Sequence, residues 1–422
     1  MEINGTEMEL KIRFSDMGIR PFFVEKLSQR NINDPTDIQK LVIPRVRNRE
    51  NILFRSATGT GKTFAYLLPL FENLYAAIEA KEAVSSPHIL ILAPTLELCS
   101  QLKQEADFLL RDSARERQSP PPPRVGLLIG SANITRQIET IRKEKPAVIV
   151  GNSARVLQLV RMGKLKLGAA RTGAQPGVLA LDEADRFVAN ETIDETRELI
   201  GRMHVVPQVI ACSATMPEKT RERLRTLFGE FGEFGEMAYI ETEEQEILRE
   251  RITHWAFFSE DRKKLRCLCS FLNAIGASCG ATSRRKKCLV FTSRTGQVGN
   301  IVAQLQYHGI SADGLASGMD KQARRRALDN FRQGKLIVLV SSDLAARGLD
   351  IPDISYCVAL DAPFEADAYI HRAGRTARAG KRGCMVTIGN EEELRRFSIL
   401  EKKLGITVYP KILYQGRIEN PC

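Results

Sequence analysis

The run Ser-Ala-Thr-Gly-Thr-Gly-Lys-Thr at residues 56–63 gathers small and hydroxylated side chains around one lysine. Gly59 and Gly61 lack a Cβ, so they can enter loop conformations closed to other residues and turn successive N–H groups inward. The apolar text from Phe64 onward reads as the helix that follows. A nest of inward N–H groups suits phosphate. Lys62 would then reach the outer phosphates of a nucleotide, and the Thr63 hydroxyl would ligate the magnesium ion that bridges them. The competing reading is a helix entry that happens to hold glycine and lysine.

A second group of residues could supply hydrolysis. "LALDEAD" ends an apolar run with Asp182 and Glu183, which places two carboxylates at the C-terminal edge of a strand, where ligands bind in open α/β sheets. Asp182 would hold magnesium, directly or through water. Glu183 would orient and deprotonate the attacking water, a role worth about 10²–10⁴ in rate. A helix N-terminus with acidic dipole partners gives the same text. Near the other end, "HRAGRTAR" sets Arg372, Arg375 and Arg378 three apart, so they could share one helical face and offer guanidinium forks to phosphate oxygens.

Elements must hold these residues in place. "HILILAP", "RVGLLIG", "AVIVG", "GVLALDEAD" and "QVIACSAT" are short apolar runs, each followed by a helix-like stretch or loop, and "KCLVFTS", "LIVLVSSD", "SYCVALD" and "CMVTIG" repeat the rhythm in the second half. Such runs suit parallel strands buried on both faces, so the fold class expected is α/β, with two tandem doubly wound parallel-sheet domains. The acidic, Gly-punctuated text near residues 240 to 250 interrupts the pattern. It divides the chain into a domain at 1–240, a short linker at 241–250 and a domain at 251–422. "SARERQSPPPPRV" and "GASCGATSRRKKC" read as loop insertions, the first an extended spacer before a strand at Val125, the second a solvated loop whose run Arg284 to Lys287 could touch RNA phosphate.

A 422-residue chain exceeds one hydrophobic core. No apolar run approaches the roughly 20 residues of a membrane-spanning helix, and the acidic opening "MEINGTEMEL" resembles neither a signal nor a transit peptide, so a cytoplasmic protein free of membrane is expected. Nine cysteines without a CxxC pair indicate reduced, mostly buried thiols rather than disulfides or a zinc site. The net charge of +11 points to a polyanionic partner.

The segment 56–63 resembles a P-loop, with Ser56 where glycine or alanine is usual. Asp182, Glu183, Ala184 and Asp185 spell the name of the DEAD-box RNA helicases, and the ordered set of motifs around them is similar to that family over nearly the whole chain. The resemblance implies two RecA-like domains, ATP and Mg2+ as cofactors, and RNA-stimulated ATP hydrolysis coupled to local unwinding. Ser56, Ala57, Thr58, Gly59, Thr60, Gly61, Lys62 and Thr63 would hold the nucleotide, with Thr63 and Asp182 on the metal. "PTDIQ" resembles the adenine-reading motif, with Gln39 pairing to the adenine edge and Phe14 as the aromatic before it. In the second half "SSDLAARGLDIP" and "HRAGRTARAGKRG" match closely: Gly348 would line the nucleotide, Asp350 meet the ribose, and Arg375 and Arg378 reach the γ-phosphate. Ser213 and Thr215 of "SAT", with His371, would couple hydrolysis to strand separation. Hydrolysis must then wait for closure of the two domains.

By the same resemblance Pro94, Thr95, Arg155, Thr292, Ser342 and Asp343 would contact single-stranded RNA or a short duplex, mainly along its backbone, with the protein acting as a monomer. The first half departs from the family's text: Leu96 stands where an arginine is common, Gly130 and Ser131 replace a glycine pair, and Asn152 to Ala154 replace Thr-Pro-Gly before Arg155. "GLASGMDKQARRRALDNF" lacks a His-Gly pair and aligns as Gln322 with Arg325 or as Lys321 with Arg324. These departures keep a second reading open, an ATP-gated RNA clamp or assembly scaffold that unwinds little. A DNA helicase is a third.

Overall fold

Each run read as a strand forms one, and the alternation of its side chains to two faces explains why helices cover both sides. The computed structural model describes residues 12–56, 59–81, 87–111, 121–167, 177–203, 208–231, 237–242, 250–277, 286–316, 319–343, 351, 353–363, 365–377 and 381–421. The chain divides into two compact units, the first ending at Thr242 and the second running from Glu243.

In the first unit the strands are β1 (Ile52–Arg55), β2 (Ile89–Leu92), β3 (Val125–Leu128), β4 (Val148–Gly151), β5 (Val178–Asp182), β6 (Gln208–Ser213) and β7 (Ala238–Glu241). They form one sheet in the order β3-β4-β2-β5-β6-β1-β7, with every pair parallel. Its helices are α1 (Pro21–Ser28), α2 (Asp37–Arg47), α3 (Lys62–Glu79), α4 (Leu96–Leu110), α5 (Ile134–Glu144), α6 (Ser153–Arg161), α7 (Ile193–Gly201) and α8 (Glu218–Gly229). Ile52 and Phe54 pack on one face with residues of α2, α3 and α4, whereas Leu53 packs on the other with residues of α6, α7 and α8. At about 1.5–3 kcal/mol for each fully buried Leu, Ile or Phe, this double cover fixes the strands whose ends carry the site. β7 runs up to the expected linker: Ala238–Glu241 pair with Ile52–Arg55, so this edge strand takes in Glu241, the first residue of the linker expected at 241–250.

The second unit holds β8 (Ile252–Phe258), β9 (Lys287–Thr292), β10 (Ala312–Leu315), β11 (Val338–Ser342), β12 (Ile354–Ala359), β13 (Gly383–Gly389), β14 (Val408–Tyr414) and β15 (Arg417–Glu419). Their order is β10-β11-β9-β12-β13-β8-β14-β15, parallel except for the terminal hairpin of β14 and β15. The helices α9 (Lys264–Ala274), α10 (Val298–Tyr307), α11 (Lys321–Arg332), α12 (Ala366–Ala373) and α13 (Glu391–Leu404) supply its covers. Leu289 and Phe291 face α11, α12 and α13, while Cys288 and Val290 face α9 and α10. Among the described residues seven cysteines are free thiols, six of them buried.

Candidate nucleotide and RNA site

In the first sheet β6 lies between β5 and β1, so the residues leaving these three strands meet at one edge. The Ser56 N–H donates to the Ser213 carbonyl at 3.1 Å, carrying the β1–β6 ladder one residue into the expected phosphate loop. Gly59 and Gly61 have φ of 88° and 89°, the left-handed region that favours glycine. A Cβ on Gly61 would stand 2.4 Å from Gln39 Nε2. Lys62 is the first residue of α3, Gly61 its N-cap, and the Lys62 ammonium turns back to donate to the Ser56 carbonyl. Thr63 follows on the first turn, at the helix end that favours anions. Ala57 and Thr58 lie outside the described residues.

Gln39 is buried, and both ends of its amide are engaged: Oε1 accepts from the Thr36 N–H at 2.9 Å in the capping box of α2, and Nε2 donates to the Gly61 carbonyl at 3.1 Å. One N–H and one lone pair remain for a base edge. The same amide therefore joins α2 to the loop. Phe14 is buried in the core against α2 and α3 rather than presented as a ring to solvent.

Asp182, last residue of β5, is almost fully buried and accepts three hydrogen bonds. The Tyr66 hydroxyl donates to Oδ2 at 3.0 Å, and the Glu183 N–H (3.0 Å) and the Cys212 thiol (3.4 Å) donate to Oδ1. Burial pushes the Tyr66 phenol well above its ordinary range, with the Asp182 charge adding to the shift. Burial likewise raises the Cys212 thiol, so both remain protonated donors. Glu183 has a positive φ of 56°, a conformation uncommon for a glutamate and a local strain of the kind found at functional sites. It heads a short 3₁₀ turn, Ala184–Arg186. Asp185 accepts from the Ser213 hydroxyl at 2.7 Å, and that hydroxyl in turn accepts from the Thr215 N–H at 3.1 Å. The "DEAD" and "SAT" segments are thus one hydrogen-bonded unit. The sequence did not disclose Tyr66 or Cys212; the signal was a phenol four residues beyond Lys62 in an otherwise apolar helix face.

The expected RNA loops of this unit also lie at strand C-termini. Pro94 and Thr95 follow β2, where the Thr95 hydroxyl caps α4 by accepting from the Leu98 N–H at 3.2 Å. Arg155, on α6, donates to the carbonyls of Gly130 (2.9 Å) and Ala132 (3.2 Å), and Asn152 Oδ1 accepts from the Gly130 N–H at 3.2 Å. Part of the Arg155 fork is therefore spent on the neighbouring loop. A surface cleft of about 580 Å³ opens beside this brace, between α6 and the acidic start of α7.

In the second unit Thr292 ends β9 and Ser342 ends β11, two neighbouring strands. Asp361, after β12, accepts from the Thr292 hydroxyl (3.3 Å) and the Ser293 N–H and hydroxyl (both 2.9 Å). Arg372 is buried and joins these ends: it grips Asp343 bidentately at 2.6 Å and donates to the Asp361 carbonyl at 2.8 Å. This corrects the sequence expectation of one arginine face. Helix α12 stops at Ala373, so Arg375 lies beyond it, with Nε on the His371 carbonyl at 3.3 Å, while Arg372 packs inward as a structural tie. The adjacent glycine, Gly374, caps α12 and ends the run on which spacing of three has meaning. Gly348, Asp350 and Arg378 lie outside the described residues, as do Arg284 and Arg285.

Comparison with known proteins identifies the set. The sequence profile of the DEAD/DEAH box helicases matches residues 36–224, and that of the helicase conserved C-terminal domain matches residues 263–380. The chain is 30% identical over 398 residues to the DEAD-box ATP-dependent RNA helicase CshC of Bacillus cereus, covering 94% of this chain and 93% of that protein. It is 28% identical over 396 residues to the ATP-dependent RNA helicase RhlB of Pectobacterium atrosepticum, covering 93% and 85%. Among solved structures, S. cerevisiae Dbp5 bound to RNA and ADP BeF3 superposes with a TM-score of 0.76 at 21% identity, over 94% of this chain and 95% of that one. Mss116p bound to ssRNA and AMP-PNP gives 0.77 at 20%, over 96% and 79%. These two likenesses concern the fold, a tandem pair of RecA-like domains. With both profiles matched in order and a relative aligned along almost its whole length, the chain belongs to the DEAD-box ATP-dependent RNA helicases.

Proposed function

We propose that the residues gathered at the C-terminal edge of the first sheet bind and hydrolyse ATP, and that turnover drives local opening of RNA duplexes or remodelling of RNA-protein complexes. The observation that carries this assignment is the convergence of the loop after β1, the Asp182 carboxylate at the end of β5 and the Ser213 hydroxyl of β6 on three neighbouring strands. Ser56 to Thr63 cradle the phosphates, Lys62 exchanges the Ser56 carbonyl for the outer phosphates, and Gln39 offers its remaining N–H and lone pair to the adenine. In the second unit Gly348 and Asp350 complete the nucleotide contacts.

The residues fit Mg2+. Asp182 is a carboxylate fixed by three donors, next to a helix start carrying Thr63, and magnesium is commonly held by one or two carboxylates together with phosphate oxygens and water. Bound there by Thr63 and Asp182, it would neutralise charge building on the phosphates. Glu183 takes the proton of the attacking water. Ser213, Thr215 and His371 pass the state of the nucleotide to the RNA-gripping loops.

RNA is held through its backbone by Pro94, Thr95, Arg155, Thr292, Ser342 and Asp343, which gives sequence tolerance and strong salt dependence. Hydrolysis waits for closure: ATP and RNA together draw the second domain's Arg375 and Arg378 to the γ-phosphate, and phosphate release reopens the pair. In this reading residues 1–240 and 251–422 are the domains, 241–250 the linker, and the enzyme is a monomer in the cytoplasm. The buried free thiols are in keeping with a reducing compartment.

The test compares RNA-stimulated ATPase with strand displacement on one short duplex. Hydrolysis with displacement is expected. Hydrolysis without displacement would favour the clamp reading, for which the committed Arg155 fork is the observation. Equal stimulation by DNA of the same length would contradict RNA as the partner.

A further inference from the structure

We infer that the second unit carries a separate RNA-phosphate surface at the N-terminal edge of its sheet, made by Arg251, Lys286, Lys287, Lys335, Lys381 and Arg382. This goes beyond the strand-gripping residues above, of which Thr292, Ser342 and Asp343 stand at the opposite, C-terminal ends of β9 and β11.

Charge distribution is the first observation. The first 242 residues hold 33 Lys and Arg against 31 Asp and Glu, and the remaining residues hold 29 against 20. Nearly all of the net +11 therefore belongs to the second unit. The motif arginines at 372, 375 and 378 account for only three of those charges, and Arg372 is neutralised by Asp343.

Topology then concentrates the rest. Arg251 immediately precedes β8, Lys286 and Lys287 open β9, Lys335 leads into β11, and Lys381 and Arg382 lead into β13. In the sheet these strands stand in the order β11-β9-β12-β13-β8. At about 4.8 Å between neighbours, the five strand starts span roughly 19 Å, comparable with five or six nucleotides of a stacked strand at about 3.4 Å each. The register brings the starts level: Gly383 lies opposite Ile252, and its N–H donates to the Arg251 carbonyl at 3.0 Å.

Side-chain contacts show that the cluster is physical. The Lys287 ammonium donates to the Arg332 carbonyl at 2.8 Å, and that of Lys286 stands 5.6 Å from the centre of the Tyr356 ring. Lys381 pairs with Asp353, which with Glu250 is an acid at these strand starts among the described residues. Burial holds the Lys287 ammonium below the usual lysine range; Asp353 opposes that shift and Lys381 adds to it, so the three groups share one electrostatic neighbourhood. Arg251, Lys286, Lys335, Lys381 and Arg382 are exposed. Among the described residues, six cations against two acids on one edge suit a polyanion, and an extended single strand matches the row better than a compact one.

Lys287 and Thr292 are the two ends of β9, five residue steps and about 17 Å apart. One phosphate group cannot serve both. The surface would therefore engage RNA flanking the segment gripped for unwinding, tethering the enzyme between cycles.

The test uses the full chain and the triple variant Lys286→Gln, Lys335→Gln, Arg382→Gln, with thermal unfolding as a check on folding. Affinity for single-stranded RNA of about 10 and about 40 nucleotides is measured by fluorescence anisotropy across a salt series without turnover. The expected result is an about tenfold loss of affinity for the longer RNA at 0.1 M salt, with the slope of log affinity against log salt shallower by about 2, while binding of the shorter RNA holds. Unchanged affinity for the longer RNA would overturn the inference and leave the patch to an acidic protein; equal losses on both lengths would overturn it too, by placing these residues in the one strand site. Because binding is read without hydrolysis, failure here and failure of the ATPase assignment are told apart.

Discussion

The Tyr66 hydroxyl donates to Oδ2 of Asp182 at 3.0 Å within the first unit, so a side chain one turn beyond Lys62 on α3 holds the carboxylate that ends β5. Helix and strand are thereby locked at the point where phosphate and metal are expected. Tyr66→Phe keeps the ring and deletes this bond. A hydrogen bond to a charged group contributes about 1.5–3 kcal/mol, so denaturant unfolding should show a loss in that range. The magnesium concentration for half-maximal ATPase should also rise several-fold. An unchanged magnesium requirement would show that Asp182 is held well enough by Cys212 and the Glu183 amide.

Glu183→Gln tests the base. The amide preserves size and the strained turn but cannot take a proton. Nucleotide and RNA should stay bound while RNA-stimulated turnover falls about 10²-fold or more. Turnover at the parent rate would take Glu183 out of that role.

Asn152→Ala tests the brace between the RNA loops. Its Oδ1 caps the Gly130 N–H at 3.2 Å, and a bond of this kind contributes about 0.5–1.5 kcal/mol. The RNA concentration for half-maximal ATPase should rise about two- to tenfold, with the KM for ATP constant. A KM for ATP that moves in step would mean that the substitution disturbs the whole unit instead.

Alkaline pH should weaken the fold in a defined window. Burial pushes the Cys99 thiol up to about 12 and raises Cys212 and Tyr66 well above their usual ranges. These folded-state values exceed the unfolded ones, so the folded chain keeps protons that the unfolded chain releases. Their contribution is complete below about pH 8.5 and is lost as pH climbs through the range between the unfolded and folded values. Thermal unfolding should be flat from about pH 7 to 8 and decline progressively above about pH 9. A constant Tm up to pH 11 would contradict the burial of these groups.

Parallel strands buried on both faces announce themselves as continuous apolar text, which is why β2 to β6, β9 and β11 to β13 were legible. β7 was not, because an edge strand has little apolar area to bury and its neighbours in sequence are acidic. β14 and β15 were hidden for a similar reason, their exposed residues alternating with half-buried ones at the sheet's margin. Residue roles tied to local text, such as the left-handed glycines and the carboxylates at the end of β5, could be read directly. Contacts between distant segments could not. Tyr66 meets Asp182 across 116 positions, and Arg372 meets Asp343 across 29, and spacing along the chain carries no information about either. The expected arginine face failed because spacing of three implies a shared face only while the helix lasts, and α12 ends at Ala373.

In the proposed cycle, one ATP is served by Lys62 of the first unit and by Arg375 and Arg378 of the second. The decisive measurement is ATPase at saturating RNA with both arginines replaced by alanine. The rate should fall about 10³-fold or more, with a non-hydrolysable ATP analogue still bound. Hydrolysis at the parent rate in that double variant would contradict it.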